Sequence, residues 1–150
     1  MGDGGMIPSA KCEALIKEYE QCRLKAYMPT SHDVPTIGWG STGKDIYLGL
    51  VWTQLQADSR FTHDLTKFGI EVSAMITGVT TQNEFDALVS FAYNEGPGRL
   101  EGSHLLTYHN TGLHVRAEGQ FALWKYQGKT VLDGLVKRRA EEADLYGSKV

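Results

Sequence analysis

The sequence predicts an α+β fold in which a small antiparallel β-sheet lobe and a helical bundle lobe are joined by one long helix. Three observations predict it: a first helix with one apolar stripe, short β-prone segments over about 24–50, and amphipathic helices from about 54 to the end. The 150 residues, 41% of them hydrophobic, fit a single domain. A cleft between two lobes is the default place for a ligand.

The first helix is predicted to begin after Ser9, a good N-cap, and to end near Glu20. Its apolar stripe has helical spacing and consists of Cys12, Leu15, Ile16 and Tyr19. Along a helix, Cys12 and Cys22 would be about 15 Å apart, whereas a disulfide needs Cα atoms within about 7 Å. Both cysteines are therefore expected to be buried, reduced thiols, and no zinc-binding spacing of Cys and His is present.

The sheet is predicted from short segments rich in β-branched and aromatic residues and separated by turn residues. The predicted strands are Leu24–Met28, Thr36–Gly40 and Ile46–Leu48. The loop between the first two, residues 29–35, contains two prolines and one aspartate.

The helices that follow are marked by their first residues. Two capping boxes, Thr53 with Gln56 and Thr81 with Glu84, open the long connecting helix at about 54–76 and a second, strongly apolar helix that ends at Gly96. Shorter helices are expected at about 104–110, 114–126 and 134–146, the last capped by Asp133. The helical lobe thus spans about 77–150 and includes the first helix, with Trp124 in its core.

Charge and hydropathy exclude several classes of function. The formal net charge is −3 and no third of the chain is strongly basic, so nucleic-acid binding is not expected. No apolar segment approaches the ~20 residues of a membrane span, and the first residues lack the pattern of a secretory signal. We therefore expect synthesis in a cytoplasm, and export that depends on another protein.

Glu20 is the first candidate for chemistry. It lies at the margin of the apolar stripe, facing the predicted sheet, where a half-desolvated carboxyl can hold a proton for donation. The alternative is that Glu20, like Glu13 and Glu18, belongs to the polar face of the helix. Position alone favours that alternative.

A resemblance changes this balance. Residues 15–27 with Thr36-Ile37-Gly38-Trp39-Gly40 resemble the signature of phage-type lysozymes, the endolysins of glycoside hydrolase family 24. The segments at 85–96, 124–129 and 134–142 resemble the other two blocks of that family, in the same order. The resemblance implies a lysozyme-like fold, a catalytic acid at Glu20 and a cleft threonine at Thr36.

The chain departs from the family pattern near these residues. The family places an aspartate nine residues after the glutamate, where this chain has Pro29, and a glycine directly after the glutamate, where it has Gln21. The carboxylate of the 29–35 loop is Asp33. Glycoside cleavage commonly uses two carboxyl groups, so Asp33 is a candidate for the second one, and Thr36 for a residue that holds the attacking water. The alternatives are a turn-capping aspartate and a strand-forming threonine.

The other candidates are weaker. The predicted substrate-binding residues are Tyr27, Trp39 and His32. Tyr27 and Trp39 could stack on sugar rings, and His32 could orient Asp33 or simply be solvated. The remaining four histidines are expected at the surface or at helix ends: His63, His104, His109 and His114. The basic run 137–139 could meet anionic wall polymers, but a solvated face is favoured, with Arg138 and Glu142 as an exposed ion pair.

The resemblance implies a muramidase that hydrolyses the β-1,4 bond between N-acetylmuramic acid and N-acetylglucosamine in peptidoglycan and lyses the host cell. No cofactor or metal is expected, and the enzyme is expected to be a monomer that a holin-type partner releases through the membrane. Two rivals stay open at this point: a non-catalytic glycan-binding protein on the same fold, and a glycosidase for chitin-like polymers.

Overall fold

In the computed structural model, residues 5–149 are described and form helices, two small sheets and connecting turns. The helices are α1 (Ala10–Glu20), α2 (Gln54–Met75), α3 (Gln82–Glu95), α4 (Pro97–Glu101), α5 (His104–Asn110), α6 (His114–Gln120) and α7 (Asp133–Gly147). The strands are β1 (Arg23–Tyr27), β2 (Thr36–Gly38), β3 (Tyr126–Gln127) and β4 (Thr130–Val131). The predicted α+β class is confirmed.

Local capping explains why the two longest helices begin where the sequence predicts. Thr53 accepts a hydrogen bond from the Gln56 N–H at 3.1 Å, and the Gln56 side chain accepts one from the Thr53 N–H at 2.8 Å. Thr81 and Glu84 form the same reciprocal pair at the start of α3. Each pair satisfies two of the backbone N–H groups that a helix start leaves without a partner.

Two clusters of buried apolar side chains hold the structure together. The larger lies among the helices and is centred on α3, whose Phe85, Leu88 and Phe91 are fully buried. The smaller lies under β1 and β2 and contains Ala26, Ile37 and Ile46, with Leu50 and Trp52 packed against it. Because α2 packs on both α3 and β2, this helix connects the two clusters.

The predicted third strand, Ile46–Leu48, is wrong. This segment forms no strand and runs between turns at 44–45 and 48–49. Ile46 fills the small core, while the pairing with β1 is made by Val51 opposite Lys25. Glycines at 43 and 49 with positive φ turn the chain on either side of the segment, which leaves it too short to pair as a strand.

Other predicted boundaries also differ from the structure. The helix expected at 114–126 ends at Gln120, and a 3₁₀ turn at Phe121–Leu123 leads into the β3–β4 hairpin. Trp124 is half-buried and packs against the core. Asp133 is the first residue of α7 and makes no capping hydrogen bond, since Leu132 is the N-cap. The short helix α4, which starts at Pro97, is not predicted from the sequence.

The cysteines are both free, as predicted, but differ in burial. Cys12 is fully buried, and this burial raises the pKa of its thiol, whereas Cys22 is half-buried just before β1. Among the helices of residues 5–149, none combines the length and the apolarity that a membrane crossing needs. Residues 1–4, part of the segment on which the signal expectation rests, lie outside the described residues.

Candidate active site

Glu20 is the last residue of α1, at the junction between the two lobes. Its Oε2 accepts a hydrogen bond from Nη1 of Arg138 at 2.7 Å, and its side chain is 18% exposed. Its Oε1 lies against Gly40, where an added Cβ would overlap the carboxylate oxygen and where φ is +87°. Only glycine fits a turn that approaches Glu20 this closely, so the turn and the carboxyl define each other's position.

Gln21, directly after the candidate acid, has φ 54° and ψ 151°. This backbone region is occupied almost entirely by glycine in proteins. The chain therefore keeps the backbone conformation expected for the family's glycine at this position although the residue is glutamine.

Arg138 is held rigidly below Glu20. Its side chain is 3% exposed, Nη2 donates to the backbone carbonyl of Ser90 at 3.1 Å, and Nε donates to Oε2 of Glu142 at 3.2 Å. The predicted solvated pair of Arg138 and Glu142 is wrong, because both side chains are buried. A guanidinium fixed on three sides can orient the Glu20 carboxyl without moving itself.

Glu142 is the centre of a buried charge network. It is fully buried and accepts hydrogen bonds from the hydroxyl of Ser90 and from Nη2 of Arg139, the latter at 3.2 Å. Arg139 Nε lies 2.7 Å from Glu142 Oε1 without hydrogen-bond alignment, so this contact is electrostatic. Burial raises the pKa of Glu142, and the two guanidinium groups oppose that effect. The predicted solvated face, and the alternative of a wall-binding run, are both wrong for Arg138 and Arg139.

A sequence signal for this network exists. Leu135, Arg139, Glu142 and Tyr146 are spaced by four, three and four residues, so they share one face of α7. Tyr146 is buried in the core, and a charged pair between two apolar residues of one stripe indicates an inward-facing network. The charges of Arg139 and Glu142 taken alone, without this spacing, predict a solvated helix face.

The turn that follows β2 is fastened to the helical lobe. The Tyr93 hydroxyl donates to the backbone carbonyl of Trp39 at 2.6 Å, and Ser41 donates to Asp64 at 2.7 Å. Burial and the nearby Glu20 raise the pKa of Tyr93, which keeps its hydroxyl protonated as a donor. These bonds hold the turn against the candidate acid.

Trp39 is half-buried in the same turn. Its indole N–H donates to Asp58 at 2.9 Å, and its ring contacts Phe61 edge-on with the Lys17 ammonium 5.0 Å from the ring centroid. These contacts give Trp39 a structural role between the lobes, and its predicted stacking on sugar stays a prediction.

Thr36 is buried at the start of β2, opposite Tyr27 on β1. Its hydroxyl donates to the backbone carbonyl of Val34 at 3.0 Å, so its lone pairs can only accept further hydrogen bonds. An acceptor of this kind can orient the O–H of a water molecule. Tyr27 is half-buried, and the Arg23 guanidinium lies 4.3 Å from its ring centroid.

Asp33 and its neighbours lie on an exposed loop. The Asp33 carboxylate accepts from the Thr30 hydroxyl at 2.9 Å, and its N–H donates to the Thr30 carbonyl at 3.2 Å. This is the geometry expected of an aspartate that caps its own turn, the alternative to a catalytic role for Asp33. His32 is exposed, and its N–H donates to the Thr30 hydroxyl, while Pro29 is also exposed.

Glu20 and Asp33 line two adjoining cavities of about 430 and 470 Å³. Both cavities are lined by Asn94, Leu132 and Leu135, so together they form one groove, which we call the interlobe groove. Its first part contains Glu20, and its second part contains Asp33. A polymer lying in the interlobe groove would pass both carboxyl groups.

The four histidines other than His32 divide into two pairs. His63 and His104 are exposed, as predicted. His109 and His114 lie at helix ends, as predicted, in the last turn of α5 and at the start of α6. They are not surface residues without contacts, because His109 is fully buried and His114 contacts Glu84. These three residues form a cluster with the composition of a metal site.

Comparison with known proteins places this geometry in context. The family model described as phage lysozyme matches residues 17–142. The endolysin of Bacillus phage PZA is 43% identical over 136 residues, which cover 89% of this chain and 52% of that protein. The chain spans about half the length of this relative and of the endolysin of Bacillus phage B103.

Solved structures agree with the sequence comparison. An endolysin from Escherichia coli O157:H7 phage FAHEc1 superposes with a TM-score of 0.85 at 36% identity, covering 98% of this chain and 97% of that one. The muramidase domain of SpmX from Asticaccaulis excentricus gives a TM-score of 0.84 at 30% identity, covering 94% and 97%. The lysozyme-like fold predicted from the sequence is confirmed.

Proposed function

The chain belongs to the phage lysozyme family, and from that premise we propose that it is a muramidase of bacterial peptidoglycan. The reaction is hydrolysis of the β-1,4 bond between N-acetylmuramic acid and N-acetylglucosamine. The observation that carries the proposal is Glu20, a carboxyl held by a buried arginine at the wall of the interlobe groove.

In this proposal Glu20 donates a proton to the glycosidic oxygen as the bond to the sugar C1 breaks. The sugar then carries positive charge in an oxocarbenium-like transition state, which water attacks. Arg138 fixes the direction of the Glu20 carboxyl and is a positioning residue. Because its own partners belong to α3 and α7, the acid is aligned by the helical lobe.

The opposite side of the reaction has two candidate residues. Thr36 presents an acceptor oxygen that can orient the attacking water. Asp33 lines the same groove as Glu20 and can balance the developing positive charge or accept the water proton. The groove lining supports a role for Asp33, and the hydrogen bond to Thr30 opposes it, since the carboxylate must leave its turn to act.

The whole described chain acts in this proposal as one catalytic domain. We further assign to it a monomeric state, action on the cell wall, and access to that wall through a membrane lesion made by a holin-type partner. Membership of the phage lysozyme family supports these assignments. Gel filtration tests the first, and lysis that requires permeabilised cells tests the last.

The decisive experiment compares Glu20→Gln with Glu18→Gln. Both changes replace a carboxyl by an amide on α1, but Glu18 is exposed and lies outside the groove. We expect Glu20→Gln to lower the rate of turbidity loss of permeabilised cells by about 100-fold or more, the usual contribution of a general acid. Glu18→Gln should stay within a few-fold of the wild type.

Fragment analysis identifies the bond that is cut. Mass spectrometry of digested peptidoglycan should show muramic acid at the new reducing ends, and chitin oligomers should stay intact. Fragments from chitin at a similar rate would favour the wider glycosidase. Binding to peptidoglycan without release of fragments would contradict the proposal and establish a glycan-binding protein.

A further inference from the structure

The helical lobe contains a second cavity, of about 500 Å³, whose described lining residues do not overlap with those of the interlobe groove. It lies where the start of α3, the start of α6 and the end of α7 meet. Its walls include Glu84, His114, Glu118 and Tyr146. His109 lies behind this wall, fully buried, with its ring centroid 4.9 Å from that of His114.

Three potential ligand groups converge here. One ligand atom from each of Glu84, His109 and His114 lies within 4.8 Å of the other two. Glu84 and His109 are buried and His114 is half-buried, so the group is set into the protein surface. The sequence spacing gives little sign of it, because the two histidines come from different helices and Glu84 from a third.

The hydrogen bonds of His109 fix which ring nitrogen carries its proton. The Thr80 hydroxyl donates to the carbonyl of Gly78 at 2.9 Å, so at 2.7 Å it accepts from His109 Nε2–H. The lone pair is then on Nδ1, which accepts from the Tyr146 hydroxyl at 2.6 Å. A ring nitrogen with a free lone pair is the atom through which an imidazole binds a metal ion.

Glu84 is oriented in a comparable way. Its Oε1 accepts from the N–H of Thr81 in the capping box, and its Oε2 faces Nδ1 of His114 at 2.6 Å. Metal-binding carboxylates and imidazoles usually have such outer partners, which fix their direction. Here a helix cap holds the carboxylate and a threonine holds His109.

The separation of the two rings agrees with shared coordination. With metal–nitrogen bonds of about 2.0–2.1 Å and tetrahedral angles, two imidazole centroids lie about 5.2 Å apart, close to the 4.9 Å between His109 and His114. Coordination would require Glu84 and His114 to separate by somewhat less than 1 Å and His114 Nδ1 to lose its proton. The Tyr146 hydroxyl would also have to release His109 Nδ1.

We propose that Glu84, His109 and His114 bind a divalent transition-metal ion of the Zn²⁺ class. Two imidazoles and one carboxylate favour zinc over magnesium or calcium, which prefer oxygen ligands. The fourth ligand is a water molecule or the carboxylate of Glu118, which lines the same cavity. The ion would join α3, α5 and α6 and stabilise the helical lobe away from the groove.

The test uses the full chain, purified without a polyhistidine tag and stripped of metal by a chelator. Calorimetric titration with Zn²⁺ should show one bound ion per chain, and Co²⁺ should give the intense visible absorption of four-coordinate cobalt. With zinc at one hundred times its Kd, the unfolding midpoint should rise by about 5–10 °C.

Two variants and a control locate the site. Glu84→Gln keeps the helix cap, because glutamine serves equally well at this position of a capping box, but it removes the charged ligand. Glu84→Gln and His114→Ala should each weaken zinc binding about tenfold or more. His63→Ala, which removes an exposed histidine from α2, should leave the affinity unchanged.

The proposal is overturned by any of three results: no stoichiometric zinc binding to the wild type, full affinity in Glu84→Gln, or loss of binding in His63→Ala. If His114→Ala does not fold, Glu84→Gln and the cobalt spectrum of the wild type still decide the question. Lytic activity plays no part in the test, so this result is independent of the proposed muramidase function.

Discussion

Replacing Glu142 by glutamine tests whether the buried charge network holds the helical lobe together. The substitution keeps the shape of the side chain but removes the negative charge between Arg138 and Arg139, which are both buried. The carboxylate accepts hydrogen bonds from both guanidinium groups and from Ser90. Without this negative charge, the guanidinium groups of Arg138 and Arg139 are two cations in a site with little water.

The expected magnitude follows from these contacts. Breaking a buried ion pair by removing one partner costs about 3–5 kcal/mol. Arg138 keeps Glu20 and Arg139 keeps Glu95 as partners, so we expect a loss near the lower end, about 3 kcal/mol. For a chain of this length, that loss lowers the unfolding midpoint by about 6–12 °C.

A matched control is available on α1. Glu13 pairs with Lys17 at 3.4 Å, also four residues apart on one helix, but the two side chains are 48% and 30% exposed. Glu13→Gln should change the free energy of unfolding by about 0.5 kcal/mol or less, because exposed pairs are weak. Urea denaturation at neutral pH measures both variants. A loss below about 1 kcal/mol in Glu142→Gln would mean that the carboxyl is not the ionic centre of the network and would refute this reasoning.

Three further predictions concern the groove and the turns around it. Gly40→Ala should displace the Glu20 carboxyl and reduce the rate of lysis at least tenfold. Gly49 also has a positive φ but has open space around it, so Gly49→Ala should lower stability without a loss of activity. Equal losses of activity in the two variants would contradict this prediction. Asp33→Asn should lower turnover about 100-fold if that carboxylate is catalytic. If Asp33→Asn stays within a few-fold of the wild type while Thr36→Val loses activity, the threonine alone positions the water and Asp33 is not catalytic. Hydrogen bonding to a neighbouring arginine lowers the pKa of Asp45. The ionised Asp45 carboxylate therefore stabilises the folded state fully above the ordinary aspartate pKa of about 3.9, and this stabilisation is lost as the pH falls through the lower pKa that Asp45 has in the folded state. The unfolding midpoints of wild type and Asp45→Asn should differ at neutral pH and converge in strong acid. A difference that stays the same at every pH would contradict a stabilising ion pair between Asp45 and the arginine.

The features predicted well from the sequence depend on neighbours in the chain. The capping boxes at Thr53 and Thr81 involve residues three positions apart, so their geometry is encoded locally. Ile46–Leu48 was misassigned because a strand needs a partner at the right distance, and Val51 takes that place. Propensity alone does not contain that information.

In the candidate site, too, the contacts that the sequence does not predict are those between residues far apart in the chain. Glu20 is predicted from the family resemblance, because its position on α1 alone favours a residue of the polar face. Its partner Arg138 is 118 residues away in sequence, and its role depends on α7 packing against α3. His109 and Glu84 were likewise missed as neighbours, because tertiary packing, and not spacing, brings them together.

The unequal size of the two apolar cores has a consequence for how the proposed glycan substrate would enter. Three buried side chains, Ala26, Ile37 and Ile46, form the small core in the described part of the chain, so the free energy needed to open that lobe locally is lower than for the helices. Backbone amides of β1 and β2 should exchange with deuterium well before those of α3. Glu20, the proposed proton donor, and Arg138 are then anchored in the slowly exchanging part, so we expect transient opening of the sheet lobe to leave the Glu20 carboxyl aligned.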